Sequence, residues 1–162
     1  TGHLHEHVDH GHHDLRLLFA GQQGDGQDSQ RESGANTVEV ARRVVARPGD
    51  RQHGVMALER AAWAEARLLF DVHPRAFRPV PRVTSSVVAL ELRPPSFEPD
   101  LIRRALDLAG RAMTRPRKML RNALAPFPPV EMVAAAGLDP AARPGTLALA
   151  DWVELARRTA SA

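Results

Sequence analysis

Val72-His73-Pro74-Arg75-Ala76-Phe77-Arg78-Pro79-Val80-Pro81-Arg82-Val83-Thr84-Ser85-Ser86-Val87-Val88 is the stretch on which the fold class turns. It sets three prolines and one aromatic ring ahead of an apolar run. Each proline fixes φ at about −65° and biases the residue before it toward extended geometry, so the segment reads as a stiff extended loop. The loop feeds a strand over Ser85–Leu92, with Val87, Val88, Leu90 and Leu92 as its apolar members and Pro94-Pro95 as its stop. Upstream, Ala64–Val72 alternates enough to be a second strand. The roughly 12-residue connection between the two predicts an antiparallel pair with a functional or well-packed loop. Phe77, on a rigid support, is a ring that can be presented to a ligand.

Outward from this hairpin the periodicity is helical. Val38, Ala41, Val44 and Val45 have helix spacing before Pro48-Gly49, and Val55–Ala62 reads as a second short helix. After Ser96, Leu101, Ile102, Ala105, Leu108, Ala109, Ala112 and Met113 line one face of a helix opened near Glu98-Pro99. Pro116 interrupts it. Shorter helices are expected over Lys118–Leu124, over Val130–Ala136 with Gly137 in the C′ position, and over Ala150–Arg158 with Trp152, Leu155 and Ala156 inward. Roughly 65 residues of small helices bury a modest core, so this unit is expected to lean on the preceding strands.

Charge divides the chain. Residues 1–37 carry two arginines against six acids, a net of −4, which leaves +7 on residues 38–162 of a chain of net +3. The basic remainder suits an anionic partner such as nucleic acid. Arg103, Arg104, Arg111, Arg115, Arg117, Lys118 and Arg121 cluster on two adjoining predicted helices, with Asp107 the one acid between Leu101 and Leu124. A phosphate backbone would relieve their repulsion and release counterions. The bland alternative is a solvated face. Lys118 is the one lysine among 22 basic residues, a bias that fits GC-rich coding and carries no functional weight.

Other classes are excluded or disfavoured. Without cysteine there are no disulfides and no thiolate metal sites. No apolar run approaches the ~20 residues that span a bilayer, and no basic stretch followed by an apolar one opens the chain as a secretory leader would. His3, His5, His7, His10, His12 and His13 open a Gly/Gln/Asp/Ser-rich segment, read as a disordered, solvated tail in preference to a metal site. Gly24-x-Gly26 has neither a third glycine nor a following helix pattern, and is read as a turn. Ser85, Ser86 and His73 are read as hydrogen-bonding residues, not as a nucleophile and its base.

The opening stretch resembles the V-x-P-x-x-F-x-P-x-P-x-V-x-S-x-V-V signature of the ribosomal RNA adenine dimethyltransferases. Arg117-Lys118-Met119-Leu120-Arg121-Asn122-Ala123-Leu124 resembles their R-K-x-L-R-N-x-L element, and Glu39-Val40-Ala41-x-Arg43 their E-V-A-x-R. The stretch from Gly54 to Val72 is similar to theirs, with His53 where tyrosine is common and Arg60 or a neighbour where glutamine is. Gly137-Leu138-Asp139-Pro140-Ala141-Ala142-Arg143, followed by Leu147, resembles G-I-D-P-x-x-R-x-x-x-L. The likeness covers about residues 38–162, all in order.

The resemblance implies an α/β plus α architecture. Residues 38–95 would be terminal helices and an antiparallel strand pair of a Rossmann-like methyltransferase domain, and 96–162 a small helical RNA-binding domain, after a non-homologous, disordered 1–37. It implies a cytoplasmic, monomeric enzyme that uses S-adenosylmethionine to dimethylate N6 of two adjacent adenines near the 3′ end of small-subunit ribosomal RNA, on the pre-ribosomal small subunit and away from membranes. The C-terminal L-D-P-x-x-R element favours this branch over relatives that methylate large-subunit RNA. Phe77 matches the phenylalanine that stacks on the extruded adenine, and Arg111, Arg115, Arg117, Lys118, Arg121 and Asn122 fall to RNA.

The family's E-x-G-x-G-x-G cofactor loop and N-L-P-Y motif belong before Glu39 and do not occur there, as an out-of-frame translation upstream of about Thr37 would explain. The chain alone is accordingly expected to bind no S-adenosylmethionine and to be inactive. The alternatives are a noncatalytic RNA-binding module and a pseudo-enzyme of the same fold.

Overall fold

A computed structural model describes residues 15–20, 37–80 and 83–160. Two strands form the expected pair. β2 (Ala64–Val72) runs antiparallel to β3 (Ser85–Leu92), from Ala64 opposite Leu92 to Val72 opposite Ser85, with an irregularity between Leu68 and Phe70. A third strand corrects the strand pair and, over its six residues alone, the expected disorder of the N-terminal segment. β1 (Leu15–Ala20) lies antiparallel to β3 on its other side, which gives the order β1-β3-β2. The physical reason lies in β3, whose run from Ser85 to Ala89 is entirely buried. A strand covered in this way needs both backbone edges paired, and Leu15–Ala20 supplies the second. The histidine cluster and Gly24-x-Gly26 lie outside the described residues.

Helices α1 (Thr37–Val45) and α2 (Val55–Trp63) lie against the sheet. Arg60 of α2 ties the assembly together from within. Its guanidinium donates to the carbonyls of Val44 (3.0 Å), Ala46 (3.4 Å) and Ala64 (3.4 Å). It thus caps the C-terminal carbonyls of α1 and clasps the junction between α2 and β2, where a cation also suits the helix dipole. Burial lowers its pKa, although an arginine stays charged in any protein.

The rest of the chain is helical: α3 (Pro99–Met113), α4 (Leu120–Leu124), α5 (Val130–Ala135) and α6 (Leu149–Ala160). Pro99 stands in the first turn of α3, where its missing N–H costs nothing, and Leu101 and Ile102 donate to the Glu98 carbonyl. Gly137 has φ +76° just past α5, with Leu138 N–H returning to Val133 O, as the sequence leads one to expect. Trp152, Leu155 and Ala156 are buried as predicted.

The support of this helical unit differs from expectation. Its core cluster joins Ile102, Ala105, Ala109, Leu120 and Trp152 to Leu58 and Ala62, so it rests on α2 and not on the strands. The reason is residue size. Alanines at 62, 105, 109 and 112 let helices approach closely, whereas β2 turns Glu65, Arg67 and Asp71 outward among its exposed residues.

Arg60→Met keeps the length of the side chain but strands three buried or half-buried carbonyls, and should destabilise the protein by about 2–3 kcal/mol. Urea denaturation checks this. A loss below about 0.5 kcal/mol would mean that water replaces the guanidinium without cost.

Candidate nucleic-acid interface

The proline loop is stiff but not wholly extended as the sequence suggests. It opens with one 3-10 turn, Pro74–Ala76, since proline in first position sacrifices no hydrogen bond. His73 Nδ1 accepts from Arg75 N–H at 3.2 Å and so serves as the cap of this turn. Phe77 follows in extended geometry (φ −112°, ψ 153°), half-buried. At the root of the loop, Asp71 and Ser86 are register partners, and the buried Ser86 hydroxyl donates to Asp71 Oδ1 at 2.6 Å. Ser86 thus holds the strand ends together, in keeping with its sequence reading. Pro81 and Arg82 lie outside the described residues.

The second element is the basic turn. α4 starts at Leu120 and not at Lys118, because Met119 is extended (φ −61°, ψ 149°). Arg115, Arg117 and Lys118 therefore stand on the α3–α4 turn and not on helices. All six candidate RNA residues, Arg111, Arg115, Arg117, Lys118, Arg121 and Asn122, are exposed. Arg103 pairs with Asp100, and Arg111 donates to Phe127 O at 2.6 Å, which leaves its other donors free to face outward.

The turn is held by the motif near the C-terminus. Leu120 N–H donates to Ala142 O (2.7 Å) and Arg121 N–H to Pro140 O (3.1 Å), so two first-turn donors of α4 find partners on the 139–143 loop. Asp139 Oδ1 accepts from Ala141 N–H, which sets the loop, and Arg143 donates to Arg117 O at 3.2 Å. The Gly137–Arg143 motif is therefore a scaffold for the Arg117–Lys118 turn. Sequence alone shows both motifs and cannot show that they touch. Among the described residues no hydrogen bond or ion pair links the Phe77 loop to the basic turn.

A third element has no sequence forecast. Gly145 O accepts from Gly49 N–H (2.8 Å) and from His53 Nδ1 (3.0 Å), which joins the α1–α2 turn to the segment before α6. Gly49 has φ +93°, a conformation that favours glycine. Burial pushes the pKa of His53 below its ordinary 6.5, against smaller raising effects from the Gly145 hydrogen bond and Asp50.

The family model described as ribosomal RNA adenine dimethylase matches residues 37–161. The chain belongs to this family. It is 45% identical over 121 residues to ribosomal RNA small subunit methyltransferase A of Rhodopseudomonas palustris strain BisB18, which covers 74% of this chain and 42% of the relative. The corresponding Phenylobacterium zucineum protein is 44% identical over 131 residues, covering 76% and 45%. The chain thus spans less than half the length of these relatives.

Two solved structures share the fold. A Plasmodium falciparum dimethyladenosine transferase matches with TM-score 0.54 and 18% identity, over 72% of this chain and 52% of that one. The 23S rRNA methyltransferase ErmE matches with TM-score 0.52 and 24% identity, over 75% and 51%. Among the described residues no group of three or more His, Cys, Asp or Glu could hold a metal ion, and no helix is long and apolar enough to cross a membrane.

The His53 shift has a definite sign. A histidine whose folded pKa is depressed leaves the unfolded state binding more protons, so stability is lost as pH falls through about 6.5 toward the folded pKa. The thermal midpoint should drop between about pH 7.5 and pH 5.5, and His53→Asn should make that drop shallower. Parallel profiles for the two proteins would remove His53 from the joint.

Proposed function

We propose that this chain is the RNA-gripping portion of a small-subunit ribosomal RNA adenine N6-dimethyltransferase, which acts in the cytoplasm as a monomer on two adjacent adenines near the 3′ end. The observation that carries the reading is the exposed Arg115–Arg117–Lys118–Arg121 set on a turn pinned by the 139–143 loop. Cations carried on a pinned turn lose less backbone freedom when they meet a phosphate backbone, and each displaced counterion adds to binding. The likeness to small-subunit methyltransferases at 44–45% identity supports the substrate class.

In this reading Phe77 stacks on the target adenine once it leaves its helix. A flat, half-buried ring at the exit of a proline-framed turn suits stacking on an unpaired base. Arg111 and Asn122 add donors to phosphate or sugar at the edge of the same basic surface. S-adenosylmethionine supplies the methyl group in the reaction. This chain's own part in that reaction is to hold the RNA. A noncatalytic RNA-binding module is the second reading, favoured by the pinned basic turn, which can hold RNA without any catalytic group.

Neutralising Arg117, Lys118 and Arg121 together should weaken single-stranded and ribosomal RNA binding and lower the log–log salt slope by about 0.7–0.9 for each lost phosphate contact. Fluorescence anisotropy across a salt series measures it. An unchanged slope would reduce these residues to a solvated face.

Phe77→Ala separates the two readings. Loss of a stacking ring should cost about 1–3 kcal/mol of affinity for an RNA with unpaired adenines, with a small change in thermal midpoint. A noncatalytic module would lose adenine and uridine RNAs equally or neither. A fall of several degrees in midpoint with intact binding would make Phe77 a core residue.

A further inference from the structure

The seam pinned by Gly145 opens into a cleft of about 700 Å³. It is separate from the Phe77 loop, none of whose residues lines it. Its size falls in the ~300–1,000 Å³ range of sites that take a ligand of nucleotide dimensions. Arg42, Arg51, Gln52 and His53 form its polar walls, and Met113 and Pro116 an apolar one. Pro116 sits between Arg115 and Arg117, so the basic turn forms one lip of the cleft.

The chemistry of the lining is specific. Glu39, its one carboxylate, is held by Arg43 at 2.5 Å, which cancels both charges. Among the described residues Arg42 and Arg51 make no ion pair and leave the cleft positive. They suit a phosphate. Neutral His53 donates through Nδ1–H to Gly145 O, so its Nε2 can act only as an acceptor, as from a ribose hydroxyl or an exocyclic amine. Gln52 offers both a donor and an acceptor to a base edge. The Met113 thioether and the Pro116 ring suit a flat aromatic body.

We infer that this cleft holds one unpaired nucleotide, with its phosphate on Arg42 and Arg51 and its base against Met113 and Pro116. The inference rests on the RNA reading above and adds a second point of hold apart from the adenine at Phe77. An unpaired nucleotide fits because a concave cleft admits a splayed base and excludes a duplex. The shared chemistry is a nucleoside monophosphate, which either an RNA strand or a free nucleotide can supply.

The test uses the full chain with four probes: AMP, inorganic phosphate, a single-stranded adenine-containing RNA and a duplex of the same length. Calorimetry and ligand-observed NMR read the binding. AMP should bind more tightly than phosphate, and R42A/R51A should weaken AMP and single-stranded RNA at least tenfold while sparing the duplex. Arg51→Glu, on an exposed turn, should do the same with an unchanged thermal midpoint, which guards against misfolding.

The triple variant at Arg117, Lys118 and Arg121 should lose RNA affinity yet keep AMP. If that variant behaves so while R42A/R51A changes nothing, the RNA reading stands and the cleft assignment falls. Equal affinity for phosphate and AMP would overturn the base-holding half. Loss of AMP with unchanged single-stranded RNA binding would make the cleft a free-nucleotide site and overturn the RNA assignment. No detectable AMP binding at millimolar concentration would overturn the proposal outright.

Discussion

Leu58 and Ala62 of α2 are buried in one cluster with Ala105, Ala109, Leu120 and Trp152, and the placement of every candidate site follows from that shared core. A set of helices as short as α4 and α5 cannot hold itself together, because helices of five or six residues gain little from their own hydrogen bonds. Burial against α2 supplies what they lack. Since α2 runs without a break into β2, the same core fixes the helical unit relative to the sheet and to the loop that bears Phe77.

Polar groups then set the details that apolar packing leaves open. Arg60 gathers three carbonyls at the junction of α1, α2 and β2. Gly145 O gathers two donors where the α1–α2 turn meets the approach to α6. The 139–143 loop receives two amides from α4 and sends Arg143 to the Arg117 carbonyl. Each of these satisfies backbone groups that would otherwise be stranded at a helix end or in a loop. Each also stiffens a surface rich in arginine, which lowers the entropy that such a surface loses when it meets an anion.

The proposed functional surface is therefore composite. In the proposed function, a stacking ring on one loop, a pinned basic turn and a positive cleft with one apolar wall would hold three parts of a single RNA strand: base, backbone and a flanking nucleotide. Their chemistry is complementary and their locations are distinct, so variants at each should fail in different ways.

The sequence by itself determined most elements and their type. Helical periodicity over Leu101–Met113, the prolines that stop strands and open helices, and Gly137 at a left-handed position act through local sterics that need no partner. It also determined the family, since ordered motifs from Glu39 to Leu147 survive in one chain. Contacts between distant segments were decided by tertiary structure alone. β1 was illegible because an isolated apolar run such as Leu15–Ala20 becomes a strand only when β3 presents an open edge. The start of α4 shifted to Leu120 because its first amides are paired by carbonyls some 20 residues away in sequence. The cleft was invisible for the same reason. Arg42, Arg51 and Pro116 come to line one cleft only when the α2–α3 core and the Gly145 carbonyl draw their three segments together.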